Sequence, residues 1–282
     1  MLLDWAPAIP FLAVCGVLLL GSAAWLVVRS LQDAAGGFTL DNWRDIFALR
    51  LNRTAILTSV RLALVVATLT ALVGTPLSWF VAHLRARGRS VGLAVANVAA
   101  NFGGAPLAFA FIATLGATGF LRLVAGDLGL PLGLDLFGFW GYVLVYLYFH
   151  VPLFMLLVMP AMGALRPEWW EAAQTAAATR GQFWRLVGVP VLAPFVAAGW
   201  VLTFTWAAGQ FTIAFALAGS QPKINLITLR IGSFLLSATS SGTRFQRAAA
   251  MSVLLIVIAG GALVVYRALA RRALATLQGR AG

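Results

Sequence analysis

Residues Arg166–Pro194 read RPEWWEAAQTAAATRGQFWRLVGVPVLAP, the only polar segment of the chain with a dense internal pattern. The segment lies between two long apolar runs. Pro167 suits the start of a helix, because its missing N–H would have no partner in the first turn anyway. Glu168 and Glu171 follow where the helix dipole favours negative charge, and Arg180 lies where it favours positive charge. The pattern predicts a short helix from Pro167 to Arg180.

Alanine fills the middle of this predicted helix. Ala172, Ala173 and Ala177 combine high helix propensity with almost no bulk. We expect Gly181 to terminate the helix, and Pro190 to mark the start of the next apolar helix. A short helix with a small face, held at a membrane surface, suits a groove on another protein. The segment therefore predicts a docking element.

Composition indicates a membrane protein. The chain has 282 residues, of which 61% are hydrophobic and 10% charged. Six runs of at least 19 residues lack Asp, Glu, Lys and Arg, and a helix needs about 20 apolar residues to cross a bilayer. We predict an all-α membrane protein with six transmembrane helices in a single domain, residues 1–282. The predicted spans are about 7–28, 62–83, 91–115, 137–165, 190–217 and 248–269, with the polar loop at 166–190.

The net charge of +12 comes mainly from arginines that flank the apolar runs. Arginines at these positions anchor a protein at the membrane surface, and no basic stripe with exposed aromatics of the nucleic-acid-binding type is present. The 20 Lys and Arg residues divide equally between the two sides, so counting leaves the orientation open. The density of arginines at 85–89 and 267–272 favours a cytoplasmic location for both stretches and for the termini.

The chain lacks the sequence features of an ATPase or a metalloenzyme. No G-x-x-x-x-G-K-[ST] occurs, and the only lysine is Lys223, so the chain cannot build a phosphate-binding P-loop. Its two histidines are far apart, and no H-x-x-E-H pattern accompanies them. We predict that the chain is not an enzyme, binds no cofactor or metal, and depends on a separate subunit if ATP is its energy source.

The six apolar runs contain no acidic residue. Secondary transporters usually need ionisable groups inside the membrane, so this pattern favours a gate whose energy comes from elsewhere. A secondary transporter or channel subunit is the alternative hypothesis. A membrane-embedded enzyme or assembly factor is a third, which would require His, Asp or Glu residues clustered at one depth.

Polar residues within the apolar runs are candidates for a translocation pathway. Asn97 and Asn101 lie four residues apart and so share a helix face. We also expect a helix break at 103–106, Gly-Gly-Ala-Pro. Hydrogen bonds between helices would also explain polar residues at such positions. The pathway candidates are Asn97, Asn101, Tyr146, His150, Thr203, Trp206 and Gln210.

The polar loop also resembles the EAA loop of ABC importer permeases, the membrane subunits of binding-protein-dependent uptake systems. The family pattern is Glu-Ala-Ala, three residues, Gly, and later aliphatic-x-aliphatic-Pro. Here 171–173 is Glu-Ala-Ala, and Val187, Val189 and Pro190 lie at the family's spacing. The family's Gly falls on Ala177, which is the one departure. Size and layout are most similar to the spermidine/putrescine-type permeases.

The resemblance implies a transmembrane subunit that forms half of a translocation pathway. It implies coupling to two copies of an ATP-binding subunit, which would hold ATP–Mg, together with a second permease subunit that is either identical or a paralogue. It also implies a periplasmic or lipid-anchored solute-binding protein and a bacterial cytoplasmic membrane. The coupling residues implied are Glu168, Glu171, Ala172, Ala173, Ala177, Arg180 and Pro190.

The resemblance leaves the transported solute open. Permeases of this group handle polyamines, iron(III), thiamine, phosphonates or sulfate, and the binding protein sets most of the specificity. Relatives often place an acidic or amide residue in the fifth span, where this chain has Gln210.

Overall fold

The computed structural model describes residues 9–129, 133–163, 165–220, 223–236 and 244–278. Six helical stretches in these ranges are long and apolar enough to cross a membrane, which confirms the predicted all-α membrane protein with six spans. The first two residues of the predicted span at 7–28 lie outside the described ranges. The helices are α1 Ile9–Ser30, α2 Asp41–Ala48, α3 Arg50–Ala82, α4 Ala86–Asn101, α5 Gly104–Leu115, α6 Phe120–Asp127, α7 Phe139–Met162, α8 Pro167–Thr175, α9 Arg180–Phe183, α10 Val189–Gly209, α11 Thr212–Ser220, α12 Ile227–Leu236 and α13 Arg244–Gln278, with a π-helix at Trp184–Gly188 before α10.

The chain forms two compact units, and the first comprises residues up to Thr58 together with Asn225–Ile258. Its core packs Ile46 of α2 against residues of α12 and α13, among them Phe234 and Met251. The loop before α2 is tied down by the Asn42 amide, which donates to two backbone carbonyls at 3.1 and 2.9 Å. Burial of these apolar groups and satisfaction of the loop carbonyls hold α2 in place.

The second unit comprises Ser59–Ile224 and Ala259–Gly282, and its core centres on Phe154 of α7. A Cβ added at Gly74 of α3 would lie 2.6 Å from the Phe154 ring, and one at Gly199 of α10 would lie 2.7 Å from it. These distances are shorter than van der Waals contact. The two glycines therefore let the backbones of α3 and α10 approach the same ring, as small residues do between membrane helices.

The predicted third span, 91–115, is not one continuous helix. It divides into α4 and α5 at Phe102–Gly103, where Gly103 is extended and Gly104 has a φ of +73°. The Phe149 ring lies against Gly103, where a Cβ would be 2.6 Å from the ring. Pro106 has no N–H to continue the hydrogen-bond ladder. The break overlaps only the first residue of the predicted segment 103–106. The helical stretch long enough to span is Gly104–Asp127, so α6, which lies outside every predicted span, belongs to it.

The predicted fifth span, 190–217, is also divided. Helix α10 ends at Gly209, Gln210 has extended backbone, and α11 begins at Thr212. Two tyrosines of α7 supply hydrogen-bond donors at this break. The Tyr146 O–H donates to the Gln210 carbonyl at 3.2 Å, and the Tyr142 O–H donates to the Ala214 carbonyl at 3.3 Å. Backbone groups freed by the break thus gain partners from a neighbouring helix, as groups buried in a membrane protein require.

Candidate functional site

Helix α8 carries the Glu-Ala-Ala sequence, and it is shorter than predicted. It ends at Thr175, and Ala177 takes a φ of +56°, which makes it the one non-glycine residue of the described chain with positive φ. The Ala178 N–H donates to the Ala173 carbonyl and the Ala177 N–H to the Gln174 carbonyl, both at 2.9 Å. These two bonds form a Schellman motif, which usually places glycine at the left-handed position. The expected helix to Arg180 is therefore wrong.

A second short helix follows the turn, because Thr179 caps it. The Gln182 N–H donates to Thr179 Oγ1 at 3.3 Å, and the Thr179 N–H donates to Gln182 Oε1 at 2.8 Å. This reciprocal pair is a capping box, a start signal for α9. Gly181 therefore lies inside α9 and terminates no helix, contrary to expectation.

The π-helix Trp184–Gly188 joins α9 to the fifth span. The Val189 N–H donates to the Trp184 carbonyl five residues back, which defines one widened turn. Pro190 is the second residue of α10, as expected for proline in a first helical turn. The loop between the fourth and fifth spans is thus a helix–turn–helix that continues directly into α10.

Most predicted coupling residues lie on the surface of this loop. Glu168, Glu171, Ala172 and Ala177 are exposed, and Ala173 is half-buried. Arg180 and Pro190 are exposed as well. The side of α8 that carries Glu171 and Ala172 is therefore available to a partner.

A pocket of about 370 Å³ lies between α8, α9 and the end of α3. Its walls are mostly aromatic, and its charged groups are one carboxylate and two guanidinium groups. Glu171 and Arg180 take part in it, so two of the predicted coupling residues lie together. The lining residues are Trp79, His83, Leu165, Arg166, Trp170, Glu171, Arg180, Phe183 and Trp184.

Ring contacts fix the walls of this pocket. Trp79 and Trp184 meet edge to face with ring centroids 4.8 Å apart, and Trp170 meets Phe183 at 5.2 Å. Trp184 is held from behind, since a Cβ at Gly188 would lie 2.4 Å from its ring. Aromatic pairs with this geometry gain about 0.5–1.5 kcal/mol beyond their buried area, so the pocket is preorganised.

Three of the predicted pathway residues are buried. Tyr146 and His150 are 0% exposed and Thr203 is 1% exposed. The Tyr146 ring stacks on His150, and His150 Nδ1 lies 2.8 Å from the Tyr146 carbonyl. Tyr146 and His150 thus contact each other within α7, and the Tyr146 O–H also bonds the Gln210 carbonyl.

Other predicted pathway residues are accessible. Asn97 and Asn101 are exposed on α4, and each side-chain N–H donates to a carbonyl one turn earlier. Trp206 is 48% exposed, and Gln210 is half-buried. The structure therefore does not gather all seven predicted residues on one surface.

The two helix breaks are neighbours. A Cβ added at Gly104 of α5 would lie 3.8 Å from the Thr212 side chain of α11. Phe149 of α7 touches Gly103 and meets the Trp206 ring with centroids 6.3 Å apart. Irregular backbone at membrane depth is tolerated where it is buried in protein or lines a cavity. The breaks and the half of α7 beside them thus form a second candidate region.

Comparisons with known proteins identify relatives. No protein-family model matches the chain. The sulfate transport system permease protein CysT of Salmonella typhimurium is 32% identical over 133 residues, 47% of this chain and 43% of that protein. The molybdenum transport system permease protein ModB of Mycobacterium tuberculosis is 29% identical over 231 residues, 80% of this chain and 81% of that protein. The chain thus spans less than half of the sulfate permease and most of the molybdenum permease.

A solved structure has the same fold. It is a bacterial ABC transporter involved in the import of the acidic polysaccharide alginate, which matches with a TM-score of 0.69 and 18% identity over 96% of this chain and 95% of that chain. Identity at this level establishes the fold alone.

The fold and the loop define a class: a helical membrane protein with a polar helix–turn–helix between its fourth and fifth spans. Its relatives are transport system permease proteins, and the chain resembles the inner-membrane permeases of ABC importers. The resemblance identified from the Glu-Ala-Ala loop is confirmed. The closer likeness to spermidine/putrescine-type permeases stays a prediction.

Trp79, His83 and Trp184 line the pocket but were not predicted from the sequence. Trp184 lies about a hundred residues after Trp79 and His83 in the chain, so no local spacing links it to them. One available signal was their position, because tryptophans at the ends of apolar runs tend to mark the membrane interface.

Proposed function

We propose that this chain is the transmembrane subunit of an ABC importer, and that α8 couples it to a separate ATP-hydrolysing subunit. One observation carries the proposal: Glu171 and Ala172 are exposed on α8, which lies between two membrane spans. A Schellman turn with Ala177 at its left-handed position terminates this helix. The small side chains permit close approach of another protein, and the carboxylate offers it a charge. The chain itself would hydrolyse no ATP and bind no cofactor, and ATP–Mg would be held by the partner.

The mechanism follows from the way α8 is connected. We propose that closure of two ATP-binding subunits moves α8 as a lever. Motion of α8 is passed through α9 and the π-helix to α10. The turn between α8 and α9 is held by the Schellman bonds and the Thr179 capping box, and α9, the π-helix and α10 follow one another without a gap. Pro190 fixes φ in the first turn of α10. The expected result is a tilt of the fourth and fifth spans, which opens the permease towards a loaded binding protein.

The pathway is proposed to run along the exposed polar residues beside the helix breaks. The exposed amide groups of Asn97 and Asn101 would be costly against lipid, so we propose that they face water or a second permease subunit. Trp206 and Gln210 would continue this surface. Tyr146, His150 and Thr203 would support it from behind, by bracing the break at Gln210.

The remaining components are proposed from the relatives. We expect two ATP-binding subunits, a second permease subunit, identical or paralogous, and a periplasmic or lipid-anchored binding protein, in a bacterial cytoplasmic membrane with both termini in the cytoplasm. The solute is proposed to be small and soluble. The relatives named for sulfate and molybdenum favour sulfate among the polyamine, iron(III), thiamine, phosphonate and sulfate classes, and add molybdenum to them.

The first test is to purify the native complex in mild detergent and identify its subunits by mass spectrometry. We expect a co-purifying protein with a P-loop, at two copies per complex. Isolation of the chain alone or only with itself would count against ATPase coupling and favour the channel or secondary-transporter hypothesis.

The second test is Glu171→Lys in the reconstituted complex. We expect loss of solute-stimulated ATPase activity and of uptake, because the substitution reverses the charge that α8 offers its partner. Asp127→Lys makes the same change of charge on α6 and serves as the matched control. Unchanged activity in the Glu171 variant would show that this carboxylate does not contact the ATPase.

A further inference from the structure

The aromatic pocket beside α8 lies at the depth where three spans end. Trp79 is in the last turn of α3, Leu165 follows the end of α7, and Trp184 precedes α10 by five residues. Tryptophan is enriched at the membrane–water interface, where its ring sits among lipid headgroups. The positions of Trp79 and Trp184 at the ends of spans therefore favour headgroup level for the pocket, on the side of α8 and α9.

The charge in and around the pocket is positive. Arg166 and Arg180 line it together with a single carboxylate, that of Glu171. Arg85 follows the pocket residue His83 by two positions and begins the cluster at 85–89. Basic pockets between membrane helices on the cytoplasmic side bind the phosphate of lipid headgroups. An anion is thus the favoured occupant.

Apolar surface adjoins the pocket. Phe80, next to Trp79 in the chain, is 61% exposed, and Leu186 and Val189, beside Trp184, are 71% and 57% exposed. Side chains of this kind at the end of a span suit contact with lipid. A ligand that fits both features has a negative headgroup and long acyl chains.

We propose that this pocket binds an anionic phospholipid. The phosphate would lie between Arg166 and Arg180, the glycerol against Trp79 and Trp184, and the acyl chains along the exposed apolar residues. Phosphate–guanidinium pairs are strong because both groups are charged and the planar guanidinium can donate two parallel N–H bonds to one phosphate. The lipid would brace α8 against the end of α3. This site goes beyond the coupling role and requires only that the chain lie in a membrane.

The test uses the full-length chain, with the subunits that accompany it, in nanodiscs of phosphatidylcholine with increasing phosphatidylglycerol. Native mass spectrometry counts the retained phosphatidylglycerol. Arg166→Gln is expected to weaken retention about fivefold, the effect of removing one basic group near a lipid surface, and Arg166→Lys to restore most of it. Arg185→Gln is the matched control, because Arg185 belongs to the same loop but does not line the pocket.

Two results would overturn the proposal. One is equal retention of phosphatidylglycerol by wild type and Arg166→Gln, with circular dichroism confirming that both are folded. The other is release of the bound anion by millimolar inorganic phosphate, which would identify a site for free phosphate. Since retention is read on the lipid, failure here leaves the ATPase coupling untouched, and failure to find an ATPase leaves the lipid site untouched.

Discussion

Replacement of Ala177 by glycine is expected to stabilise the polar loop at 166–190. Ala177 has a φ of +56°, and an L-residue in this conformation costs roughly 1–2 kcal/mol relative to glycine. Glycine loses more backbone entropy on folding, which offsets roughly 0.4–1 kcal/mol of that gain. The net expectation is a stabilisation of about 0.5–1 kcal/mol, confined to the turn that joins α8 to α9.

Hydrogen exchange measures this quantity locally, since protection reports the free energy of opening. The amide of Ala178, which donates to Ala173 at 2.9 Å, should exchange about two- to fivefold more slowly in Ala177→Gly. Ala176→Gly is the control: Ala176 has a φ of −82°, so glycine there should speed exchange. Faster exchange in both variants would refute the left-handed turn.

Three further outcomes are expected. Thr179→Ala removes the capping box and should destabilise the start of α9 by about 0.5–2 kcal/mol, read as faster amide exchange in α9. Gly188→Ala places a Cβ 2.4 Å from the Trp184 ring and should cost about 1–3 kcal/mol, with a shift in tryptophan fluorescence. Gly181→Ala, inside α9, meets nothing within 4 Å and should not lower the unfolding temperature, because alanine loses less backbone entropy than glycine in a helix. The hydrogen bond from Lys223, 2.9 Å away, lowers the pKa of the Asp135 carboxyl below its ordinary 3.8. The stability from this pair is therefore present above pH 3.8 and lost as pH falls through the lowered pKa. Because both groups are half-exposed, the pair contributes under about 1 kcal/mol. Lys223→Met should abolish that part of the acid sensitivity in thermal melts.

The number of spans could be predicted because each depends on a local property, although the third spanning stretch, Gly104–Asp127, lies later in the chain than the predicted 91–115. A charge-free run of about 20 residues suffices to cross a bilayer, and the run that became α7 was placed within three residues at either end. The break before α5 was also visible, since Gly-Gly-x-Pro is unfavourable to a continuous helix. These features need no knowledge of what packs against the helix.

The break before α11 could not be predicted in this way. Gly209 alone is tolerated within a helix, and the break is supported by the Tyr146 hydroxyl, which comes from 64 residues away in the chain. Alanine propensity likewise favoured continuing α8 to Arg180. The reciprocal bonds of Thr179 and Gln182 overrode it, since they satisfy the first backbone donors of a new helix. The Thr179–Gln182 pair thus outweighs the helix propensity of the alanines that precede it.

The π-helix sets the angle, measured around the axis of α10, at which α8 projects from the fifth span. A widened turn accommodates one residue more than an α-helical turn, and each residue advances an α-helix by about 100°. Deleting one residue from Trp184–Gly188 would therefore turn α8 by about 100° around the axis of α10, while leaving the buried face of α10, including Thr203, in register. The direction in which α8 projects is thus adjustable by a single residue, independently of the sequence that packs the membrane core.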